Sequence, residues 1–132
     1  MVIVVGYSPA PAGHAALRLG LDEARLRGGR VVVVNSSRGD APVDKRYVTP
    51  DEVAGLEREL DESGVSWTLR QPVRGHDACE EILAVALEVG ADLIVVGLRH
   101  RSPVGKLIMG STAQGVLLDA ACPVLTVKAE GA

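Results

Sequence analysis

The chain has 132 residues, of which 47% are hydrophobic and 23% charged, with a net charge of −3 at pH 7. These values are typical of one soluble globular domain, and they exclude a disordered chain, a collagen-like repeat and a disulfide scaffold. Only 2% of the residues are aromatic and the charge balance is acidic, so we expect no nucleic-acid partner. No apolar run approaches the roughly 20 residues of a membrane span, so we expect no membrane partner. The two cysteines suit a reducing compartment, and we expect a cytoplasmic protein.

Short apolar runs alternate with helix-like periodicity along the chain and no long linker separates them, so we expect one domain over residues 1–132. Three of the runs are continuous and aliphatic, which is typical of strands buried on both faces of a parallel sheet. The run around Trp67 instead alternates apolar and polar residues, which predicts a half-exposed strand near a sheet edge. Five strands are predicted, at residues 2–5, 31–34, 65–69, 93–96 and 124–127.

Apolar residues at helical spacing predict four helices between these strands. The helices are expected near residues 11–27, 50–63, 79–89 and 111–122. Thr49, followed by Pro50 and Glu52, predicts a capping box at the start of the second helix, and Ser111 with Gln114 predicts another at the start of the fourth. Strands and helices in this alternation predict the α/β class: a doubly wound, five-stranded parallel sheet with helices on both faces.

The position of a ligand site follows from this fold class. The most apolar strands, namely the first, second and fourth, should be central in the sheet. In such sheets ligands bind beyond the carboxyl ends of the strands, where the connections diverge to opposite faces. The loops that leave the first and fourth strands, residues 6–9 and 97–110, would then flank the crevice.

The segment after the fourth strand concentrates positive charge in an acidic chain. Its basic side chains are Arg99, His100, Arg101 and Lys106. The segment leads through Gly110 into a helix N-terminus, where unpaired backbone N–H groups and the helix dipole favour an anion. Gly110 would let a phosphate approach the backbone, and the hydroxyls of Ser111 and Thr112 could donate hydrogen bonds to it. The pattern indicates a bound phosphate, although a plain N-cap with solvated arginines would produce the same sequence.

At these residues the chain resembles the universal stress protein family. The ATP-binding members of that family carry a glycine, two residues, a second glycine, nine residues, and then a glycine followed by serine or threonine. Gly97 matches the first position and Gly110-Ser111 the last, with the intervening length kept. Residues 121–127 also resemble the closing strand of the family, and the order of elements matches over essentially the whole chain. The resemblance implies a five-stranded parallel α/β domain, usually a homodimer, which binds ATP in some subgroups.

Two positions depart from the pattern of the ATP-binding members. His100 stands at the second glycine, where a left-handed backbone would be tolerated better by histidine than by most residues; its ring could donate to a phosphate. Ser8 is the nearest equivalent of an aspartate that contacts the nucleotide in the family. The resemblance further places the adenine against backbone near Val34 and Asn35.

We therefore expect a nucleotide-binding protein that acts as a regulatory or sensor module in the stress response. Gly97, Gly110, Ser111 and Thr112 would cradle the phosphates; Arg99, His100 and Lys106 would add charge or hydrogen bonds; and Ser8, Val34 and Asn35 would line the base and ribose. The expected ligand is ATP, or else AMP or ADP, with or without Mg²⁺. We assign no catalytic residue and no metal ligand.

Two other functions stay open. A slow ATP phosphohydrolase or phosphotransferase would need a group that orients the attacking atom. Residues 97–112 contain no Asp or Glu, and His100 is their only titratable candidate base. A dimeric interaction module that binds no nucleotide is the other alternative.

The last predicted strand indicates how two copies would associate. If it forms the sheet edge, its apolar side chains and unpaired backbone groups favour pairing with another chain. We expect a homodimer through this strand, formed by Val124, Leu125, Thr126 and Val127.

Overall fold

The computed structural model describes residues 1–35, 48–72, 77–100 and 107–129, with the backbone alone for residues 99, 100, 107 and 108. Within these ranges the chain forms six strands and four helices, which alternate except that β5 follows β4 directly. The elements are β1 (Val2–Gly6), α1 (Pro11–Arg27), β2 (Arg30–Val34), α2 (Pro50–Glu62), β3 (Trp67–Arg70), α3 (Ala78–Val89), β4 (Leu93–His100), β5 (Leu107–Ile108), α4 (Ser111–Asp119) and β6 (Val124–Lys128).

The five predicted strands form one parallel sheet in the order β3-β2-β1-β4-β6. The first, second and fourth strands of the prediction are therefore central, as expected from their continuous apolar runs. The half-exposed strand β3 lies at one edge and β6 at the other. The predicted fold class is confirmed.

Helices cover both faces of the sheet. On one face the core packs α1 and α2 against the sheet through buried residues such as Leu17 and Leu60, and on the other it packs α3 and α4 through Ile82 and Val116. The central strand β1 contributes alternate residues to the two cores, with Ile3 facing the first and Val4 the second. Within the described ranges no helix is both long enough and apolar enough to span a bilayer.

The helix boundaries show which capping predictions hold. Thr49 caps α2 with the reciprocal hydrogen bonds to Glu52 that define a capping box. The capping box predicted at Ser111 is wrong: α4 begins at Ser111, its N-cap is Gly110, and no side chain caps it. Because Ser111 already lies inside the first turn, its side chain is not in the position from which a hydroxyl reaches the N–H groups of that turn.

The fourth strand is longer than predicted. β4 continues to His100, and its last two residues pair in antiparallel fashion with β5. The segment expected to leave the sheet as a loop at residue 97 therefore starts as strand. The backbone of His100 is not left-handed, because no described residue other than glycine has a positive φ.

Candidate functional site

A crevice of about 240 Å³ opens beyond the carboxyl ends of β1, β2 and β4. This is the point where the chain leaves β1 toward one face of the sheet, to α1, and leaves β4 toward the other, to α4. It is therefore the topological switch point at which ligands bind in open parallel sheets. The described lining residues are Gly6, Tyr7, Ser8, Ala12, Gly13, Val34, Ala78, Ile82, Val96, Gly97, Gly110, Ser111, Thr112 and Ala113.

Two helices start at this crevice without a side-chain cap. The N-cap residues are Ala10 for α1 and Gly110 for α4, and neither helix has a side-chain hydrogen bond to its first turn. Ala12 and Gly13 of α1, and Ser111 to Ala113 of α4, line the crevice. The first turn of a helix carries unpaired N–H groups and the positive end of the dipole. The two starts together bring partial positive charge to the crevice, and its described lining residues include no charged side chain.

Glycines allow the first turn of α1 to lie close to the end of β4 and to the loop after β1. A Cβ atom at Gly97 would overlap the backbone carbonyl group of Ala12, and one at Gly13 would overlap the backbone of Ser8. The first turn of α1 is thus packed between the end of β4 and the loop after β1. Gly97 consequently has a packing role in addition to the phosphate contact that its motif predicts.

The floor of the crevice is apolar. Val34, Ile82 and Val96 line it and are nearly inaccessible to solvent. A Cβ atom at Gly6 would lie 2.8 Å from Cδ1 of Ile82, so Ile82 occupies the space beside β1 that a side chain at position 6 would take. An apolar floor opposed to helix N-termini suits a ligand with one flat apolar part and one anionic part.

The predicted site residues fall into three groups in the structure. Those that line the crevice are Ser8, Val34, Gly97, Gly110, Ser111 and Thr112. Arg99 and His100 end β4 next to Gly97, and their side chains lie outside the description; Lys106 lies outside the described residues altogether. Asn35 follows Val34 but is not among the described lining residues, and its buried side chain bonds to protein groups instead.

Several lining residues were not assigned to the site from sequence. Ala12, Gly13, Ala78 and Ile82 lie in helices α1 and α3, and their apolar or small side chains carry no chemical signal. The one signal that could have found them is positional, because the first turns of helices that follow parallel strands all lie at the same edge of the sheet.

Tyr7 and Cys79 are two titratable groups close to the site that are held neutral. Burial, followed by the carboxylates of Glu59 and Glu52, raises the pKa of Tyr7 to about 12. Burial also raises the pKa of the Cys79 thiol, next to the lining residue Ala78. The phenol and the thiol are therefore protonated at neutral pH, which does not favour a nucleophilic role for either. In the described parts of the chain no three His, Cys, Asp or Glu residues group as metal ligands would.

The fold and the crevice together define a doubly wound α/β domain with an open crevice at its topological switch point. The sequence model of the universal stress protein family matches residues 1–128. A universal stress protein of Mycolicibacterium smegmatis is 48% identical over 130 residues, which cover 98% of this chain and 99% of the relative. One from Thermus aquaticus is 31% identical over 96% of this chain and 97% of its own length. The chain belongs to the universal stress protein family.

Solved structures of the family agree with the fold. A universal stress protein from Archaeoglobus fulgidus superposes with a TM-score of 0.74 at 34% identity, covering 96% of this chain and 97% of that one. A structure of the universal stress protein from the same organism in complex with dAMP has a TM-score of 0.66 at 30% identity, with 96% of both chains covered.

Proposed function

We propose that the chain binds an adenine nucleotide in this crevice and acts as a cytoplasmic regulatory or sensor module of the stress response. The observation that carries the proposal is the pair of uncapped helix starts opposite an apolar floor. This arrangement suits a molecule with a flat base at one end and phosphate at the other. The complex of the Archaeoglobus fulgidus relative with dAMP supports the same ligand class.

Each part of the ligand has its own set of residues in this proposal. The phosphate nearest the ribose binds the first turn of α4, where Gly110, Ser111 and Thr112 offer backbone N–H groups and two hydroxyls. The base rests on aliphatic side chains, since Val34 and Val96 lie in the floor. We assign ATP as the ligand, with Arg99, His100 and Lys106 and a Mg²⁺ ion as the partners of its outer phosphates.

A regulatory role is favoured over hydrolysis by the chemistry of the lining. Phosphoryl transfer requires a group that orients the attacking water and cations that stabilise the transferred phosphoryl. The described lining residues include no Asp, Glu or His. We therefore rank phosphohydrolase activity second, and following phosphate release with the purified protein tests it.

The proposed position of the phosphate can be tested by giving α4 a capping side chain, which would compete with phosphate for the N–H groups of the first turn. Gly110 has φ −68° and ψ 162°, which is N-cap geometry that any residue adopts. In Gly110→Asp the new carboxylate can accept hydrogen bonds from the N–H groups of Thr112 and Ala113, so it competes with phosphate for the same donors. We expect titration calorimetry with AMP, ADP and ATP to show at least about a tenfold loss of affinity, the equivalent of one charge-assisted hydrogen bond.

The matched control places the same charge elsewhere. Gly55 lies in α2 with open space where a Cβ atom would be, so Gly55→Asp adds the same charge away from the crevice. Its affinity should equal that of the unmodified protein. If none of the three nucleotides binds the unmodified protein at millimolar concentration, the proposed function is wrong. If Gly110→Asp binds normally, the position of the phosphate is wrong.

We also propose that the protein is a homodimer through β6. Within the described residues β6 pairs only with β4, so its other side is an open edge. Leu125 and Val127 are half-buried and pack against the core beneath α1. A groove between α1 and the end of β6, lined in part by Leu19 and Val127, continues this apolar surface. An edge strand of this kind favours pairing with a second copy.

A further inference from the structure

Asn35 is a fully buried polar residue next to the crevice. It follows β2 directly after the lining residue Val34, and only 1% of its surface is exposed. Its Nδ2 donates to the backbone carbonyl of Tyr7 at 3.0 Å. Its Oδ1 accepts from the backbone N–H of Val48 at 2.9 Å and from Nε2 of Gln71 at 3.2 Å. A buried side-chain amide is costly unless it is paired in this way.

These hydrogen bonds join three segments that are far apart in sequence. Tyr7 belongs to the loop after β1, Val48 precedes α2, and Gln71 follows β3. Gln71 strengthens the junction, because its Nε2 also donates to the carbonyl of Val48 at 3.3 Å. The backbone N–H of Tyr7 donates to the carbonyl of Val34 at 2.9 Å. Tyr7 is thus held through both of its backbone groups, one by β2 and the other by Asn35.

The loop held in this way forms one wall of the crevice. Tyr7 and Ser8 both line it, and Ser8 lies against Gly13 in the first turn of α1. A shift of the Tyr7 carbonyl would therefore move Ser8 and the wall that it forms. The family resemblance implies that the backbone near Asn35 lies against the base; the described contacts of its side-chain amide are with protein groups.

We propose that Asn35 is a positioning residue that holds the loop after β1 in its ligand-binding conformation, with Gln71 as its partner. The proposal rests on the proposed function, since it concerns the same crevice. Asn35 acts through the Tyr7 carbonyl and the Val48 N–H and makes no contact with the ligand.

The isosteric variant Asn35→Asp isolates this role. Its carboxylate keeps the acceptor that Val48 and Gln71 use, but it cannot donate to the Tyr7 carbonyl and faces that oxygen with a negative charge. We expect nucleotide affinity to fall about fivefold to tenfold, in line with the loss of one buried hydrogen bond. The calorimetric stoichiometry should stay near that of the unmodified protein, because the folded molecules all bind, only more weakly. A purely structural role would instead lower the stoichiometry and leave the affinity of the folded fraction unchanged.

The matched control removes a comparable hydrogen bond at the opposite end of the sheet. The backbone N–H of Val2 donates to the Asp92 carboxylate at 2.8 Å, so Asp92→Ala weakens the fold away from the crevice. It should lower the thermal midpoint without changing nucleotide affinity. If Asn35→Asp does not fold, Gln71→Ala decides the question, with a smaller loss of affinity expected at full stoichiometry. Unchanged affinity in whichever of the two variants folds would overturn the proposal.

Amide hydrogen exchange separates this proposal from the proposed function. In the ligand-free protein the Tyr7 and Ser8 amides should exchange faster in Asn35→Asp than in the unmodified protein, while amides of β6 stay equally protected. Faster exchange of these two amides can be observed even if no nucleotide binds. In that case the proposed ligand is wrong, and the positioning role of Asn35 is still supported. Equal protection of Tyr7 and Ser8 in the two proteins would refute the role of Asn35.

Discussion

Gly97 combines two roles at one position of the chain. Its motif predicts contact with phosphate, and the structure shows in addition that a Cβ atom there would overlap the carbonyl group of Ala12. The obstacle is backbone in the first turn of α1, which cannot move without moving the helix. A side chain at this position therefore affects both the packing of α1 and the shape of the crevice.

We expect Gly97→Ala to lower the free energy of unfolding by about 1–3 kcal/mol, the usual cost of forcing a methyl group into a packed site. Nucleotide affinity should fall as well, because the first turn of α1 is displaced from the crevice. Chemical denaturation and calorimetry measure the two effects.

The control for this variant is Gly6→Ala at the floor of the same crevice. The new methyl group would meet the end of the Ile82 side chain at 2.8 Å, and that side chain can turn away. Gly6→Ala should therefore cost less stability than Gly97→Ala. A larger loss of stability in Gly6→Ala than in Gly97→Ala would show that overlap with backbone does not determine the loss of stability.

The N-termini of α2 and α4 differ in whether a side chain caps them. Thr49 closes α2 with a capping box, whereas Gly110 leaves the start of α4 open toward the crevice. A closed start stabilises the helix, and an open start leaves N–H groups for a ligand. The capping side chain therefore stabilises α2, which lies outside the described lining of the crevice. At α4, which lines the crevice, no side chain caps the backbone N–H groups of the first turn.

We expect Thr49→Ala to lower the free energy of unfolding by about 1 kcal/mol, as the loss of a threonine N-cap does, with nucleotide affinity unchanged. The backbone and side-chain hydrogen bonds from Thr49 hold the pKa of Glu52 below its ordinary value. The folded state therefore favours the ionised carboxylate, and this contribution is complete above the ordinary pKa and is lost as pH falls through the lowered one. Chemical denaturation of both proteins should show that the difference between their free energies of unfolding becomes smaller as the pH falls through that range. Because the backbone N–H of residue 49 remains in Thr49→Ala, a constant difference would exclude only a contribution from the hydrogen bond between the Thr49 hydroxyl and the Glu52 carboxylate.

At the scale of the whole molecule, the edge strand determines whether two copies can pair. The N–H of Ile94 donates to the carbonyl of Pro123. Because strand residues alternate in direction, Leu125 and Val127 also direct their backbone groups to β4, and Thr126 directs its own to the open edge. By the same alternation the N–H groups of Val124 and Lys128 also face the open edge, and Thr126 is the middle one of these three residues.

We expect Thr126→Pro to weaken the dimer without unfolding the monomer, because proline removes an outward N–H and is tolerated in edge strands. Sedimentation velocity at micromolar concentration should show a dimer for the unmodified protein and a monomer for this variant. Thr126→Val keeps the N–H and should remain a dimer. A persistent monomer for the unmodified protein would refute dimerisation at that concentration.

Most of the architecture could be predicted from local sequence patterns. Continuous aliphatic runs placed β1, β2 and β4 at the centre, and the alternation around Trp67 placed β3 at an edge, because burial on one or two faces leaves a direct trace in the order of residues. The end of β4 was not predictable in this way. Its last residues, Arg99 and His100, are polar and pair with β5 through backbone groups that carry no compositional signal.

The candidate site, like the fold, has residues that could be predicted from the sequence and residues that could not. Gly110, Ser111 and Thr112 could be assigned from sequence, because a glycine before a helix start in a ligand-side loop has a physical meaning on its own. The sequence by itself thus determined the fold class, the family resemblance and the end of the sheet where a ligand would bind. Only the tertiary structure decided that Gly97 packs against α1, that Ile82 forms the floor, and that Asn35 bonds to the loop after β1. Each of those contacts joins residues distant in the chain, and their meeting depends on the order of strands in the sheet.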